Sequence, residues 1–217
     1  MKKLSILKKA KEFVQQSLSG EGTGHDWWHI ERVLNNARLI NKNEKASNFI
    51  IELAVLLHDV GDHKVIHKVE DDYSIAENFL IGENVDVEII EKVMFIIKNM
   101  SFSKTLNNKL DNISKEFCVV QDADRLDGIG AIGIARVFAY GGSKNRPLFD
   151  PTIEPKKIDS IDDYKKLKTS SFHHFGEKLL LLKDLMNTKT AKKIAQKRHD
   201  YMKKYMEQFM AEWKGVK

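Results

Sequence analysis

Cysteine is almost absent from the chain. Cys118 is the only one among 217 residues, so no disulfide can form within the chain and a cysteine-rich structural zinc site is excluded. A reducing environment suits such a sequence, and we expect a cytoplasmic protein. The N-terminus is basic, but lysines and Glu12 interrupt it before any apolar core develops. It therefore does not predict a signal peptide.

Long apolar runs and paired strand patterns are also missing. No apolar run approaches the ~18–20 residues needed to cross a bilayer. Residues 117–120, Phe-Cys-Val-Val, are typical of a strand, but no second convincing strand exists to pair with them. We therefore interpret this segment as part of a buried helix, and the sequence as a whole predicts an all-α fold.

The composition is that of a soluble globular domain. Hydrophobic residues make up 42% of the chain and charged residues 31%, which provides for a core and a charged surface. The length predicts a single domain over residues 1–217, with C-terminal helices at about 160–214 packing on its core. The net charge is +5, and the lysines are spread over the whole chain. A lysine-rich solvated surface explains this charge better than a nucleic-acid-binding face, and a phosphorylated small substrate is also compatible with it.

Apolar residues recur with helical spacing along most of the chain. Asp26 is suited to cap the second predicted helix, and Thr188 the last one. A stretch without periodicity, residues 139–155, has the length of loops that are usually functional or disordered. The predicted helices lie at about 3–19, 28–41, 46–58, 74–80, 85–100, 116–126, 162–186 and 188–213, and a helix with small residues (Gly130, Ala131, Gly133 and Ala135) follows the one at 116–126.

Two apolar segments lead directly into acidic side chains. The first, a helix that is apolar nearly all round, runs into His58 and Asp59, and the second, the buried run at residues 117–120, leads to Asp122 and Asp124. Burying an unpaired carboxylate costs several kcal/mol, so Asp59 needs a partner. A divalent metal ion is one such partner, and an ion pair or a hydrogen-bonded core histidine is the other.

A second histidine belongs with these residues. His29 lies one turn before Val33 in the apolar stripe of its helix, so it faces the core. Together with His58, Asp59 and Asp124 it makes a set of two imidazoles and two carboxylates on separate helices. Such a set suits Mn, Fe, Co, Ni, Mg or Zn. A site of this kind can lower the pKa of a bound water and hold a phosphoryl group for attack.

The order His, His-Asp, Asp resembles the signature of the HD-domain superfamily of metal-dependent phosphohydrolases. Four longer segments resemble its small bacterial YpgQ/YedJ-like branch, and the resemblance extends over about residues 5–213. It implies a compact multi-helix HD-domain bundle and hydrolysis of nucleoside triphosphates, including deoxynucleotides, with release of pyrophosphate. The segments are Gly-His-Asp-Trp-Trp-His-Ile-Glu-Arg-Val, Leu-Leu-His-Asp-Val-Gly-Asp-His-Lys, Val-Gln-Asp-Ala-Asp-Arg-Leu-Asp-Gly-Ile-Gly and His-Phe-Gly-Glu-Lys-Leu-Leu.

The resemblance also implies roles for individual residues. Asp62 falls where related nucleotide hydrolases place a catalytic acid, although some of them have a glutamate there. The implied cofactor is a divalent metal ion, with Mn²⁺ favoured over Mg, Co, Ni, Fe or Zn. The implied metal ligands are His29, His58, Asp59 and Asp124.

Three further residues are candidates for binding the substrate. Lys64 and Arg125 follow ligand segments, where a cation neutralises charge on phosphoryl oxygens. The alternatives are a solvated loop lysine for Lys64 and, for Arg125, an ion pair with Asp122 or Asp127. His25, four residues before the ligand His29, either lines the pocket, donates a proton, or is structural.

Other functions stay open on the sequence alone. The same site suits a nucleoside-monophosphate or cyclic-nucleotide phosphohydrolase, and the same fold suits a non-catalytic nucleotide-binding regulator. The four ligand positions all hold competent residue types, which argues against a decayed site. We expect a nucleotide partner, no membrane partner and no nucleic acid. The oligomeric state is open, and a homodimer is compatible with it.

Overall fold

The computed structural model describes residues 2–18, 26–62, 72–102, 104, 110–154 and 169–216. Within these ranges there is no strand, which confirms the all-α prediction. None of the described helices is both long and apolar enough to cross a bilayer. The α-helices with described bounds are α1 (Lys2–Ser17), α2 (Trp27–Glu44), α3 (Asn48–Leu57), α4 (Ser74–Gly82), α5 (Val87–Asn99), α6 (Lys115–Asp127), α7 (Gly130–Ser143), α8 (His173–Glu177) and α9 (Lys189–Trp213), and a 3₁₀ helix covers Leu179–Leu185.

Helix bounds and caps agree closely with the apolar periodicity. The strand-like segment 117–120 lies inside α6, as predicted, and Phe117 is fully buried there. Thr188 caps α9, since its hydroxyl oxygen accepts a hydrogen bond from the backbone N–H of Ala191 at 3.1 Å. The cap fixes where the long C-terminal helix begins.

The predicted continuous helix over 162–186 is wrong in its described part. Helix α8 ends at Glu177, Lys178 leaves helical geometry with φ −139° and ψ −56°, and the chain continues as a 3₁₀ helix. Four consecutive leucines follow Lys178, and an apolar run without a polar face does not reveal a break in a helix. The predicted irregular stretch also begins later than expected, because α7 continues to Ser143.

The chain divides into two units, residues 1–124 and 125–217. In the first unit α3 is the central helix, and it packs against α1, α2 and α5. Eight of its ten residues are buried, so its C-terminal end carries the chain directly from the core into His58 and Asp59.

In the second unit α9 packs against α7 and the 3₁₀ helix. Aromatic rings cluster in this unit at centroid distances of 4.6–6.4 Å, from the buried Phe172 and Phe175 out to the exposed Trp213. Such contacts are typical of structural packing, and we assign them no role in binding. The rings belong to Phe138, Phe149, Phe172, Phe175, Tyr205, Phe209 and Trp213.

Candidate metal centre

His29 is placed by the start of α2. Asp26 precedes the helix in extended conformation, and its Oδ1 accepts a hydrogen bond from the backbone N–H of His29 at 2.8 Å. Asp26 is therefore the N-cap that the sequence predicted. The cap puts His29 in the first helical turn, where its side chain is only 1% exposed.

We expect the cap to contribute measurably to stability. Replacing Asp26 with alanine removes the acceptor and should lower the free energy of unfolding by about 1 kcal/mol. Asp26→Asn keeps an acceptor oxygen and should stay within a few tenths of a kcal/mol of the wild type. Denaturant unfolding of the three proteins tests this, and equal losses in both variants would contradict the capping role.

His58 and Asp59 lie in the turn that follows α3. His58 Nδ1 is 2.8 Å from the backbone carbonyl oxygen of Val55. Because a carbonyl oxygen only accepts, Nδ1 carries a hydrogen, and in the neutral imidazole Nε2 then presents its lone pair. A backbone contact of this kind orients an imidazole for metal binding.

Three side chains converge on one point in the first unit. His29 Nε2 lies 3.3 Å from His58 Nε2 and 3.4 Å from Asp59 Oδ2. His58 Nε2 lies 3.3 Å from Asp59 Oδ1. Each of the three residues offers a ligand atom, and these atoms all lie within 4.8 Å of one another. The side chains are at most 6% exposed.

The separations fit a shared metal ion. Ligand atoms about 2.1 Å from one ion stand roughly 3.0–3.4 Å apart at octahedral or tetrahedral angles. The 3.3 Å between the two imidazole nitrogens agrees with this spacing, and each nitrogen lies 3.3–3.4 Å from one of the two oxygens of Asp59. Two nitrogens and a carboxylate suit a borderline or hard divalent ion. A bound divalent ion would also offset the charge of the buried carboxylate of Asp59, which lies against both imidazoles.

Asp124 approaches this group from α6. Its Oδ1 is 3.5 Å from His29 Nε2, and its side chain is 33% exposed, far more than the other three. Asp124 thus borders the group on its more open side. That Asp124 is a fourth metal ligand stays a prediction.

Asp62 lies just past the group. Its backbone N–H donates to the carbonyl oxygen of Asp59 at 3.1 Å, and the residue is half-buried. The glycine before it is required by a close approach, since a Cβ on Gly61 would lie 2.2 Å from the carbonyl oxygen of Asp72. The backbone N–H of Asp72 in turn donates to the carbonyl of Gly61 at 2.7 Å. These contacts fix the backbone next to Asp62.

The structure describes one of the three predicted substrate-binding residues, Arg125. His25 and Lys64 lie outside the described residues. Arg125 lies in the second unit, is only 5% exposed, and donates from a guanidinium nitrogen to the backbone carbonyl of Leu185. This bond uses one of the five N–H donors of the guanidinium. That Arg125 contacts a phosphate stays a prediction.

Two contacts in and around α6 were missed by the sequence analysis. Asp127 is buried and forms an ion pair with Arg136, a partner that the spacing of acids and bases did not indicate. Asn36, on α2, donates from its side-chain amide to the backbone carbonyl of Ala123 at 3.1 Å. The position of Asn36 could have drawn notice, because it lies two turns after His29 on the same face of the helix.

Comparison with known proteins supports a common family. The HD domain family model matches residues 27–129. The protein YpgQ of Bacillus subtilis is 37% identical over 216 residues, which cover 100% of this chain and 98% of YpgQ. The matched residues of the family model include all four predicted metal ligands, His29, His58, Asp59 and Asp124.

Solved structures agree with the sequence relatives. An HD-superfamily hydrolase from Bacillus thuringiensis is 43% identical, with a TM-score of 0.75 and 98% of each chain covered. B. subtilis YpgQ in complex with ADP is 37% identical, with a TM-score of 0.77, covering 98% of this chain and 97% of that one. A Lactobacillus plantarum protein reaches a TM-score of 0.85 at 37% identity, covering 96% of this chain and 97% of that one.

Proposed function

This chain belongs to the HD domain family and is a hydrolase of that superfamily, and we propose that it hydrolyses nucleoside triphosphates, including deoxynucleotides, to release pyrophosphate. The observation that carries the proposal is the convergence of His29, His58 and Asp59, with donor atoms at 3.3–3.4 Å inside the first unit. Asp124 completes the metal ligands from the open side. Mn²⁺ is the ion we expect first, with Mg, Co, Ni, Fe or Zn as alternatives.

A bound divalent ion supplies Lewis-acid polarisation of a phosphoryl oxygen and a water of lowered pKa. The protein contributes the orientation of the ligands and a surrounding of low water content. His58 is held in one tautomer by the carbonyl of Val55. The near-complete burial of His29 and Asp59 strengthens every electrostatic interaction inside the site.

Asp62 is the residue we assign to the attacking water. It is half-buried and follows the ligand Asp59 by three residues, with its backbone tied to that ligand. From there its carboxylate orients the water or takes its proton. We assign Lys64, one residue beyond His63, to the phosphate oxygens, where its charge offsets the negative charge of the reacting group.

Nucleotide recognition is supported by a relative. YpgQ of B. subtilis has been crystallised in complex with ADP, and at 37% identity over nearly the whole chain we carry nucleotide binding over to this protein. ADP presents the base, the ribose and two phosphates of a triphosphate substrate. Pyrophosphate release distinguishes our proposal from hydrolysis of monophosphates or cyclic nucleotides on the same site.

One assay tests the proposal. The full-length protein, stripped of metal, is incubated with each common ribo- and deoxyribonucleoside triphosphate and Mn²⁺, Co²⁺, Ni²⁺ or Mg²⁺, and pyrophosphate and phosphate are both quantified. We expect metal-dependent pyrophosphate release, reduced at least on the order of 10³-fold in His58→Ala. His199→Ala removes a half-buried imidazole in the second unit and should retain wild-type activity. Release of phosphate alone, or activity unchanged by His58→Ala, would overturn the assignment.

A further inference from the structure

A buried asparagine connects the two helices that carry His29 and Asp124. Asn36 is 8% exposed, and its Nδ2 donates to the backbone carbonyl oxygen of Ala123 at 3.1 Å. We propose that Asn36 is a positioning residue that sets the separation between these two metal ligands. This inference rests on the metal centre proposed above and extends it to a residue that touches neither metal nor substrate.

On α2, Asn36 and the metal ligand His29 are held rigidly relative to each other by the helix. His29 and Asn36 are seven residues apart, which is two helical turns, so they share one face about 10 Å apart along the axis. The Asp26 cap fixes the turn that carries His29. A displacement of α2 at Asn36 therefore displaces the imidazole of His29 by a similar amount.

On α6, the anchored group is directly bonded to the ligand residue. The carbonyl of Ala123 and the backbone N–H of Asp124 belong to the same planar peptide unit. By holding that carbonyl, Asn36 fixes the peptide plane from which the Asp124 side chain extends. Its effect on Asp124 thus requires no intervening side chain.

Asp124 is the ligand for which backbone placement counts most. Its side chain is 33% exposed, whereas that of His29 is 1% exposed. Neighbouring side chains therefore restrain Asp124 the least, and the 3.5 Å between its Oδ1 and His29 Nε2 depends on how α6 is held against α2. Without the Asn36 hydrogen bond, we expect the Asp124 carboxylate to shift away from His29 before the other ligands move.

The experiment compares two buried asparagines on α2. Asn36→Leu keeps the branching at Cγ but removes the donor, and we expect the Mn²⁺ dissociation constant to rise about tenfold or more, measured by titration calorimetry on the metal-stripped protein. Raising the Mn²⁺ concentration should restore most of the turnover.

The matched control is Asn41→Leu. Asn41 is 6% exposed and donates to the carbonyl of Ala46 at 3.0 Å, in the connection between α2 and α3. Its loss should lower stability and leave Mn²⁺ affinity unchanged.

A second variant covers the case in which leucine prevents folding. Asn36→Ser is polar, but its hydroxyl is too short to reach the Ala123 carbonyl, so the same rise in dissociation constant is expected. Binding within twofold of the wild type in a folded Asn36 variant would overturn the inference alone, as would an equal loss in Asn41→Leu. A wild-type protein that binds no divalent metal, or a His58→Ala variant that binds it normally, would instead overturn the metal centre and the inference with it.

Discussion

Asp59→Asn is expected to lower turnover by at least on the order of 10³-fold and to abolish the stabilisation of the protein by divalent metal. The two oxygens of this carboxylate face two imidazoles, with Oδ1 3.3 Å from His58 Nε2 and Oδ2 3.4 Å from His29 Nε2. Asparagine has almost the same shape, so the variant should fold. It removes the negative charge that a divalent ion requires from this buried position.

The loss of metal binding can be read without any activity assay. Metal that binds only the folded protein stabilises it by about 2.7 kcal/mol at 100 times its dissociation constant. We expect thermal unfolding of the wild type to shift upward with Mn²⁺ and that of Asp59→Asn to remain unchanged at the same concentrations. Asp184→Asn is a control, because that side chain is 73% exposed in the second unit, and it should respond to metal like the wild type. A full metal-dependent shift in Asp59→Asn would show that Asp59 is not a ligand.

Periodicity predicted the elements that build the first unit. The apolar residues of α2 and α3 recur at helical spacing, and their burial in the structure follows that pattern. The two points where an apolar helix leads into acids, at Asp59 and Asp124, border the same site. Asp59 could be predicted because burial of a carboxylate has a strong energetic consequence. Asp124 is one-third exposed, so burial does not identify it, and its assignment comes from the family resemblance.

Contacts between distant segments could not be predicted in the same way. Arg125 donates to a carbonyl 60 residues further along the chain, and no local pattern identifies that acceptor. The end of the α-helix at Glu177 could not be predicted, because the leucines that follow would pack equally well in an α-helix or in a 3₁₀ helix. The amide of Asn36 likewise finds its acceptor 87 residues away. Such partners follow from tertiary packing, which the spacing of residues does not encode.

The second large expected effect is a loss of stability when Gly133 of α7 is replaced by alanine. A Cβ on Gly133 would lie 2.4 Å from the carbonyl oxygen of Gly128 and 2.6 Å from its carbonyl carbon. Both atoms are backbone atoms in the turn between α6 and α7, so no side chain can rotate away. We expect Gly133→Ala to lower the free energy of unfolding by about 2 kcal/mol or more, since overpacking typically costs 1–3 kcal/mol.

Replacing Gly142, on the same helix, with alanine should not lower the free energy of unfolding. A Cβ there would meet nothing within 4 Å, and alanine is favoured over glycine in a helix by up to about 1 kcal/mol. Gly142→Ala should therefore match or exceed the stability of the wild type, while Gly133→Ala falls below it. Because helix propensity favours alanine at both sites, the difference between the two variants isolates the cost of the steric contact. Urea unfolding of both proteins measures it, and equal stabilities would mean that the turn at Gly128 moves aside without cost.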